Sequence, residues 1–306
     1  MKRLLVIYNP RSSRFAEVEH DVLSRIRDLK GYMVGKYEVA HTNLNDNISK
    51  LAKIIKDDDL ILSAGGDATG IIASNAIIKS KKNATLAVLP YGNFNDLART
   101  LKTKTLDDLN LSGRVKDSEK PTKLHPLDII IDGKHWRYAT CYVTIGMTAK
   151  AVDIYNSPKM RKKLRSSFGR KISSYTELAK WYFKHRRECI MPEFVLNSVP
   201  QHKKTSDYAA VNGRSMARVM KGGEDYRDTK FFRSETDRLT SFFRLTKLMA
   251  KSTLSRIPGS PTSGDTLEFI HPSDVTLQTE GESETFKNVE KIEIRKGDVC
   301  LKVIEN

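Results

Sequence analysis

Two glycine-containing loops carry the side chains of this 306-residue chain that are best suited to chemistry. The first loop, Ser63–Thr69, contains Gly65, Gly66 and Asp67 and joins a predicted strand to a predicted helix. Paired glycines let backbone N–H groups approach a phosphate, and the free N–H groups that begin a helix attract anions. Asp67 would repel a phosphate directly, so its carboxylate suits a Mg²⁺ ion that bridges phosphate groups. A tight turn with an acidic N-cap is the alternative explanation of the same spacing.

The second loop, Leu89–Arg99, follows the next predicted strand and is the densest polar cluster in the chain. Gly92 permits an unusual backbone angle, and Asn93 offers an amide. Asp96 and Arg99 lie three residues apart, so they can face the same side of the helix that begins here. A capped helix with a local ion pair is the alternative. Two such loops at the ends of neighbouring strands favour a binding site, although the first matches neither a Walker A loop nor a GxGxxG fingerprint.

The elements that would position these loops alternate short apolar runs with helical stripes. Continuous apolar strands between helices predict a parallel sheet that is covered on both faces. We therefore expect an N-terminal, open and doubly wound α/β domain with its ligand at the carboxyl ends of the strands. The predicted strands are Leu4–Tyr8, Tyr37–His41, Leu60–Ser63 and Leu86–Leu89, and the predicted helices are Ala16–Leu29, a stripe over Ile48–Ile55, Ile71–Lys79 and Asn95–Leu101.

The pattern changes near residue 125 to many short strands that are punctuated by Gly, Pro, Asn and Asp. Trp136–Ile145, Thr266–Ile270 and Val275–Thr279 are examples of these predicted strands. They predict a C-terminal antiparallel, β-sandwich-like domain with inserted helices near 171–187 and 237–250. The predicted domains are residues 1–125 and 126–306. The sequence leaves open whether the last residues pack back on the first domain.

The charge of the chain favours polyanionic partners, because 53 Lys and Arg against 37 Asp and Glu give a net charge of +16. Residues 156–188 hold eleven Lys or Arg and two Glu, a net +9. A helical stripe with Trp181 and Tyr182 among these cations is typical of a membrane interface, and residues 242–251 give a second candidate. We expect peripheral contact with an anionic membrane surface and no nucleic-acid partner, because no nucleic-acid-binding motif accompanies the charge. Packing of both stripes on their own domain is the alternative.

Cysteine usage and hydropathy predict a cytoplasmic protein. The chain has three cysteines, which lie far apart at Cys141, Cys189 and Cys300. An odd number and wide spacing argue against a disulfide framework and fit a reducing compartment. The sequence contains no run of about 18 apolar residues, so we expect no membrane-spanning helix.

The order of the motifs resembles the diacylglycerol kinase catalytic-domain family, which includes bacterial soluble lipid kinases and sphingosine kinases. The matching segments are Asn9-Pro10, Gly65-Gly66-Asp67-Ala68-Thr69, the run G-N-F-N-D-L-A-R from Gly92 to Arg99, Leu127-Asp128, Ile145–Ala149 and Gly264–Gly281. The resemblance implies a nucleotide domain followed by a β-rich lipid-binding domain, with the active site in the cleft between them. It also implies the cofactors ATP and Mg²⁺ and transfer of the γ-phosphoryl group of ATP to a lipid hydroxyl, such as that of diacylglycerol.

The resemblance further implies a role for each matching residue. Asp67 would act through Mg²⁺, and Asp96 and Asp128 would join it in an acidic network that is linked by metal and water. Glu280 and Glu282 stand where the family has D-G-E, whose aspartate is taken as the general base. The residues expected to surround ATP are Asn9, Thr42, Gly65, Gly66, Asp67, Ala68, Thr69, Gly92, Asn93, Asp96 and Arg99.

The chain departs from the family pattern at several of these positions. Glu280 replaces the aspartate of the base motif, and the extra methylene moves the carboxylate by about 1.5 Å at full extension. Ala68 replaces a glycine and would be strained if its φ were positive. Thr148 replaces an aspartate near Gly146. The alternative to an active kinase is therefore a family member that binds nucleotide and membrane with weak or no turnover. The acceptor stays open among diacylglycerol, phosphatidylglycerol, a sphingoid base and an isoprenoid alcohol, and the oligomeric state is also open, a homodimer being one option.

Overall fold

A mixed six-stranded sheet forms the first layer of the fold in the computed structural model. The residues that the structure describes are 2–27, 29–40, 43–92, 95–111, 121–156, 179–185, 190–201, 204–213, 215–216, 220–221, 229–237 and 259–306. The strands are β1 (Lys2–Tyr8), β2 (Tyr32–Glu38), β3 (Leu60–Gly65), β4 (Thr85–Pro90), β5 (Thr122–Leu124) and β18 (Leu301–Val303). Their order is β2-β1-β3-β4-β18-β5, and only β5 is antiparallel to its neighbour. The sheet reverses its strand order between β1 and β3, which is where open α/β sheets bind ligands.

Helices cover both faces of this sheet. They are α1 (Phe15–Val18), which continues as a π-helical segment over Glu19–Leu23, α2 (Leu44–Ile54), α3 (Asp67–Ser80) and α4 (Asp96–Thr100), with a short 3₁₀ turn at Asp107–Leu109. Alternate side chains of a strand point to opposite faces. Leu5 of β1 accordingly packs in one core cluster with α2 and α3, and its neighbour Leu4 packs in another with α1.

A ten-stranded antiparallel sheet forms the second layer. Its central strands are β8 (Tyr142–Gly146), β16 (Gly264–Thr279) and β17 (Glu282–Lys296), and β8 leads into helix α5 (Met147–Asn156). The remaining strands are β6 (Leu127–Ile131), β7 (Lys134–Ala139), β9 (Phe194–Leu196), β10 (Val199–Pro200), β11 (Thr205–Val211), β14 (Phe231–Asp237) and β15 (Ser260–Thr262). A separate two-stranded ribbon pairs β12 (Ser215–Met216) with β13 (Met220–Lys221).

The two layers share one hydrophobic core. Tyr142, Val211 and Phe232 of the antiparallel sheet belong to the same buried cluster as Leu97 and Leu101 from α4 and its C-terminal end. The chain also returns to the first sheet at its end, because β18 lies between β4 and β5. The two layers are therefore packed directly against each other.

The predicted α/β plus β fold class is confirmed, whereas several element boundaries differ. β2 begins at Tyr32 and ends at Glu38, earlier than the predicted Tyr37–His41. The predicted strand Trp136–Ile145 is two strands, which a turn at Thr140 and Cys141 separates. Only Tyr32 of β2 is buried, so this strand has a weaker apolar signal than a fully buried strand.

Two further differences concern the second half of the chain. Thr266–Ile270 and Val275–Thr279 are parts of the single long strand β16, whose pairing register with β17 shifts between Glu268 and Val275. Helix α5 was not predicted from the sequence. The predicted helix near 237–250 lies outside the described residues, and the domain boundary at residue 125 stays a prediction. None of the helices in the described part of the chain is long and apolar enough to cross a membrane.

Candidate active site

The two predicted loops lie against each other at the carboxyl ends of β3 and β4. A Cβ atom built on Gly92 would lie 2.3 Å from the Cα of Gly66, so the two backbones touch where neither residue has a side chain. The N–H of Tyr91 donates to the carbonyl of Gly65 at 2.9 Å. Gly65 is also required locally, because its Cβ would lie 2.4 Å from the hydroxyl oxygen of Thr69. The glycine positions identified in the sequence therefore serve the close approach of two loops.

Asp67 joins the loops by capping the helix that follows the second one. Its Oδ2 accepts the backbone N–H of Asn95 at 2.9 Å, and its Oδ1 accepts that of Asp96 at 2.8 Å. Asn95 adopts a left-handed φ of 57°, and its side-chain oxygen accepts the N–H of Gly92 at 2.7 Å. The acidic N-cap expected as an alternative thus exists, but the helix that Asp67 caps is α4, whereas Asp67 itself begins α3.

Glu280 reaches this region from the antiparallel sheet. It lies at the tip of the hairpin between β16 and β17, where Glu280 and Gly281 have φ values of 50° and 91°. Two successive left-handed residues form the turn that matches the twist of a two-residue hairpin. The carboxylate is 3% exposed, and its Oε1 accepts the hydroxyl of Thr140 at 2.7 Å and the backbone N–H of Cys141. The turn between β7 and β8 therefore holds Glu280 in the cleft.

Three carboxyl groups from the two layers interact electrostatically in this cleft. Burial, followed by the nearby charges of Asp96 and Glu280, raises the pKa of Asp67 to about 8, although two backbone N–H donors oppose the shift. Burial likewise raises the pKa of Glu280 to about 7, against the hydrogen bonds from Thr140 and Cys141 and with a smaller contribution from Asp96. Asp96 itself is fully buried. The cleft thus concentrates negative potential that a cation would relieve.

The donor set of the cleft fits a Mg²⁺ ion that is shared with phosphate groups. No three His, Cys, Asp or Glu side chains in the described ranges are close enough to form a preformed metal site. Mg²⁺ commonly takes one or two carboxylates and completes its octahedral shell with water and phosphate oxygens. Asp67, the first residue of α3, and the buried Asp96 could supply two such carboxylates.

The other predicted nucleotide contacts lie around the same loops. Asn9 follows β1, and its Oδ1 accepts the N–H of Arg11 at 3.0 Å. Ala68 lies in the first turn of α3 without a positive φ, so the loss of the family's glycine causes no backbone strain there. Arg99 is exposed on α4, whereas Asp96 is buried on it. Thr42 and Asn93 lie outside the described residues.

Asp128 and Glu282 occupy different surroundings from the three interacting carboxyls. The Oδ1 of Asp128 lies 2.7 Å from Nδ1 of His135, and its Oδ2 accepts from Arg295 at 3.3 Å. Glu282 begins β17 and pairs across the hairpin with Thr279. The metal role of Asp128 and the catalytic role of Glu282 stay predictions.

Two residues that hold Glu280 and one that caps α5 carried no clear signal in the sequence. Thr140 and Cys141 fell inside a predicted strand, although the pair breaks its apolar run. Asp207 on β11 accepts the N–H and hydroxyl of Thr148 at 2.8 and 2.6 Å, and so caps α5. A carboxyl thus stands next to Thr148, where the family has its aspartate within the motif. An acidic residue inside a buried strand was the available signal for Asp207.

The basic region is described only over residues 179–185, which are helical. Tyr182 is fully buried and packs with Met147 and Ala179. Trp181 is half-buried and stacks on His185 with ring centroids 5.5 Å apart, and Lys180 and Lys184 are exposed. Part of the apolar stripe therefore packs on its own domain. The candidate stripe over 242–251 lies outside the described residues.

Comparison with known proteins gives the same family as the motifs. Residues 3–125 match the family model of the diacylglycerol kinase catalytic domain. A diacylglycerol kinase of Bacillus subtilis (strain 168) is 32% identical over 117 residues, which are 38% of this chain and 38% of that protein. A diacylglycerol kinase of Staphylococcus saprophyticus is 30% identical over 107 residues, 34% of each protein. These alignments thus span little more than a third of the relatives' length.

Solved structures extend the likeness in fold to the whole chain. The crystal structure of a diacylglycerol kinase from Bacillus anthracis str. Sterne superposes with a TM-score of 0.63 and covers 100% of this chain and 97% of that one, at 15% sequence identity. Identity at this level shows a shared fold. Residues 3–125 are thus similar to the diacylglycerol kinase catalytic domain, and the likeness in fold extends over the whole chain.

Proposed function

We propose that this protein is an ATP-dependent lipid kinase that transfers the γ-phosphoryl group of ATP to a lipid hydroxyl. The observation that carries the proposal is the placement of Asp67 and Asp96 at the glycine loops, where the N–H of Asp96 donates to Asp67. Glu280 approaches them from the opposite sheet, because Cys141 donates to Glu280 and its Sγ lies 3.9 Å from the hydroxyl of Thr100 on α4. Phosphoryl transfer needs little covalent chemistry from a protein. It needs an aligned donor and acceptor, neutralised phosphate charge and a carboxylate near the attacking hydroxyl.

The nucleotide would bind where β3 and β4 end. Gly66 is the N-cap of α3 and has no side chain with which to occupy the first turn, so the N–H groups there can face phosphate oxygens. The approach of Gly66 and Gly92 leaves backbone, free of Cβ atoms, along the loop surface. Both features favour a phosphate chain lying across the two loops.

Asp67 and Asp96 would hold a Mg²⁺ ion through direct and water-mediated contacts. When bound, the ion neutralises the charge that develops on the transferred phosphoryl group. The raised pKa of Asp67 supports this role, because a carboxyl that is costly to ionise alone gains most from a neighbouring cation. The two backbone N–H donors keep the Asp67 carboxylate oriented in either state.

Glu280 would act as the general base. A carboxyl with a pKa of about 7 is partly ionised at neutral pH and can accept a proton from an alcohol that attacks phosphorus. Thr140 and Cys141 both donate to its Oε1, so Oε2 is the oxygen that would take the proton. Arg137, which is buried and donates to Thr279 at 3.1 Å, supports the hairpin next to Glu280.

The acceptor we propose is diacylglycerol or a related lipid alcohol, because the curated relatives are named diacylglycerol kinase. The enzyme would meet this substrate by peripheral contact with an anionic membrane surface in the cytoplasm. The exposed Lys180 and Lys184 beside Trp181 support such contact. Basic side chains near an aromatic residue favour an interface that carries anionic headgroups.

The proposed activity is tested by ADP release from ATP and Mg²⁺ in mixed micelles that contain diacylglycerol, another lipid alcohol or no lipid. Wild type is compared with Asp67→Ala and Glu280→Ala. The proposal predicts lipid-dependent turnover that both substitutions abolish. Absence of turnover with every lipid, together with ATP binding that Asp67→Ala weakens, would instead identify a family member that binds nucleotide without useful catalysis.

Membrane contact is tested separately by vesicle co-sedimentation. Binding to vesicles that contain anionic lipid, with loss of binding to neutral vesicles, is the expected result. Failure to bind either type of vesicle would reject peripheral attachment, and it would leave the test of turnover in micelles unaffected.

A further inference from the structure

Asn75 links helix α3 to the edge of the antiparallel sheet. Its side-chain Nδ2 donates to the carbonyl of Tyr138 at 2.9 Å, and its Oδ1 accepts the N–H of Tyr138 at 3.0 Å. Nδ2 also donates to the carbonyl of Ile71 within α3 at 3.0 Å, which fixes the amide on its own helix. Asn75 is 6% exposed. The side-chain amide therefore pairs with one residue of β7 as a neighbouring strand would.

The position of Tyr138 in the sheet explains why it can receive this amide. β7 is the last strand in the sheet order, and Tyr138 stands opposite Asp128 of β6. In an antiparallel pair, every second residue turns its N–H and C=O away from the partner strand. Asn75 satisfies both groups of Tyr138 at that edge, where an unpaired strand is otherwise exposed to water or to another chain.

The same strand leads directly to Glu280. Thr140 and Cys141, two and three residues after Tyr138, hold the Glu280 carboxylate. Arg137, the residue before Tyr138, donates to the hydroxyl of Thr279 at 3.1 Å, next to Glu280 in the hairpin. Both flanks of Tyr138 thus contact the hairpin tip.

The other end of the link leads to the nucleotide loops. α3 begins at Asp67, and Asn75 lies eight residues along it. At about 1.5 Å per residue, the two positions are separated by roughly 12 Å of rigid helix. A continuous series of helix, amide, strand and hairpin therefore runs from Asp67 to Glu280.

We infer that Asn75 is a positioning residue for phosphoryl transfer, which fixes through β7 where Glu280 stands relative to Asp67. The inference rests on the proposed kinase function. Asn75 touches neither nucleotide nor acceptor in this role. Its contribution is alignment, and a misplacement of about 1 Å between reacting groups can lower a rate about a hundredfold. Nucleotide affinity depends on the loops before α3, so it is not expected to fall with the rate.

The test compares Asn75→Ala and Asn75→Asp with Ser74→Ala. Ser74 is the control, because it is buried on the same helix and its hydroxyl donates to Ile71 within α3 at 3.1 Å. Its Oγ accepts from the amide of Asn75 only at 3.5 Å, so its removal leaves both bonds between Asn75 and Tyr138 in place. An aspartate can accept from the N–H of Tyr138 but cannot donate to its carbonyl. Each variant is measured for kcat and KM with ATP and diacylglycerol micelles, and for amide hydrogen exchange over residues 279–282.

We expect Asn75→Ala to lower kcat about ten- to a hundredfold while KM for ATP changes less than about threefold. We expect Asn75→Asp to fall between Asn75→Ala and wild type, and Ser74→Ala to keep wild-type kcat. Faster exchange in the hairpin should accompany the loss in the Asn75 variants. The inference is overturned if Asn75→Ala keeps kcat within about twofold, or if KM for ATP rises as much as kcat falls.

A wild-type protein that phosphorylates no lipid would reject the proposed function, and the exchange measurement would then decide the structural link alone. Faster exchange over residues 279–282 in Asn75→Ala, but not in Ser74→Ala, would support the link. Unchanged exchange in all variants would overturn it.

Discussion

Substitution of Gly92 by alanine tests whether contact between the two loops creates the nucleotide site. The added Cβ would lie 2.3 Å from the Cα of Gly66 and 2.8 Å from Oδ1 of Asn95. Carbon atoms in favourable contact are about 3.5–4.0 Å apart, so the loops must separate by roughly 1 Å or more. The obstacle at Gly66 is backbone, which cannot rotate away as a flexible side chain could.

The size of the effect follows from what a displacement of roughly 1 Å would break. The bonds that join the loops, from Tyr91 to Gly65 and from Asn95 and Asp96 to Asp67, are 2.8–2.9 Å long and would be stretched beyond hydrogen-bond distance. Overpacking of this kind costs about 1–3 kcal/mol of stability. If these loops bind phosphate as proposed, their displacement should also lower kcat about a hundredfold.

Gly70→Ala is the matched control, because Gly70 lies on α3 and its Cβ would be 3.6 Å from Cδ2 of Leu97 on α4, an ordinary van der Waals contact. Alanine is favoured over glycine inside a helix by roughly 0.5–1 kcal/mol, so this variant should be at least as stable as wild type. The assays are calorimetric titration with ATP and Mg²⁺, turnover in lipid micelles and urea denaturation. Wild-type nucleotide affinity and turnover in Gly92→Ala would refute the reasoning, and so would equal losses in both variants.

Three further outcomes are expected. Asp67→Asn keeps only one acceptor oxygen for the two N–H groups at the start of α4, so urea denaturation should show a loss of about 1 kcal/mol in the free energy of unfolding. The variant should also lose Mg²⁺-dependent nucleotide binding, and unchanged binding would contradict the proposed role. Burial raises the pKa of Asp207 to about 7, so the native state holds a proton that the unfolded state releases, and stability should fall as pH rises from about 4 to 7. Asp207→Asn should flatten that fall in thermal melts, and an unaltered pH slope would count against it. Gly146 and Gly133 both have a positive φ, of 98° and 74°, but a Cβ on Gly146 would lie 2.5 Å from a backbone carbonyl oxygen and a Cβ on Gly133 would meet open space. Gly146→Ala should therefore lower the free energy of unfolding far more than Gly133→Ala, and similar losses in the two variants would reject the steric argument.

The sequence was most informative where local rules and tertiary packing agree. Apolar runs such as Leu86–Leu89 predicted strands correctly because those strands are buried on both faces of the sheet. The glycines at positions 65, 66 and 92 marked two loops that follow strand ends, and the structure brings these loops into contact. Their role in binding phosphate stays a prediction. The order of these motifs also resembles the family whose catalytic-domain model matches residues 3–125.

The sequence could not supply contacts between residues that are distant along the chain. Nothing near Asp67 predicts that its carboxylate caps α4, because Asn95 and Asp96 are almost thirty positions away. The support of Glu280 by Thr140 spans 140 positions and depends on how β7, β8 and the β16–β17 hairpin meet. Asn75 lies on a predicted helix, but its partner Tyr138 is visible only once the sheet edge is known.

The central claim is that Glu280 removes the proton from a lipid hydroxyl as the phosphoryl group is transferred. The most direct test is transfer of label from γ-labelled ATP into extracted lipid, measured from pH 5 to 9 for wild type and Glu280→Gln. Glutamine can still accept from Thr140 and Cys141, so the fold of the hairpin should be kept. The account predicts labelled lipid in wild type, with a rate that rises as pH passes through about 7, and little or no transfer in Glu280→Gln at any pH. Wild-type transfer by Glu280→Gln, or a wild-type rate that falls as pH rises through this range, would contradict it.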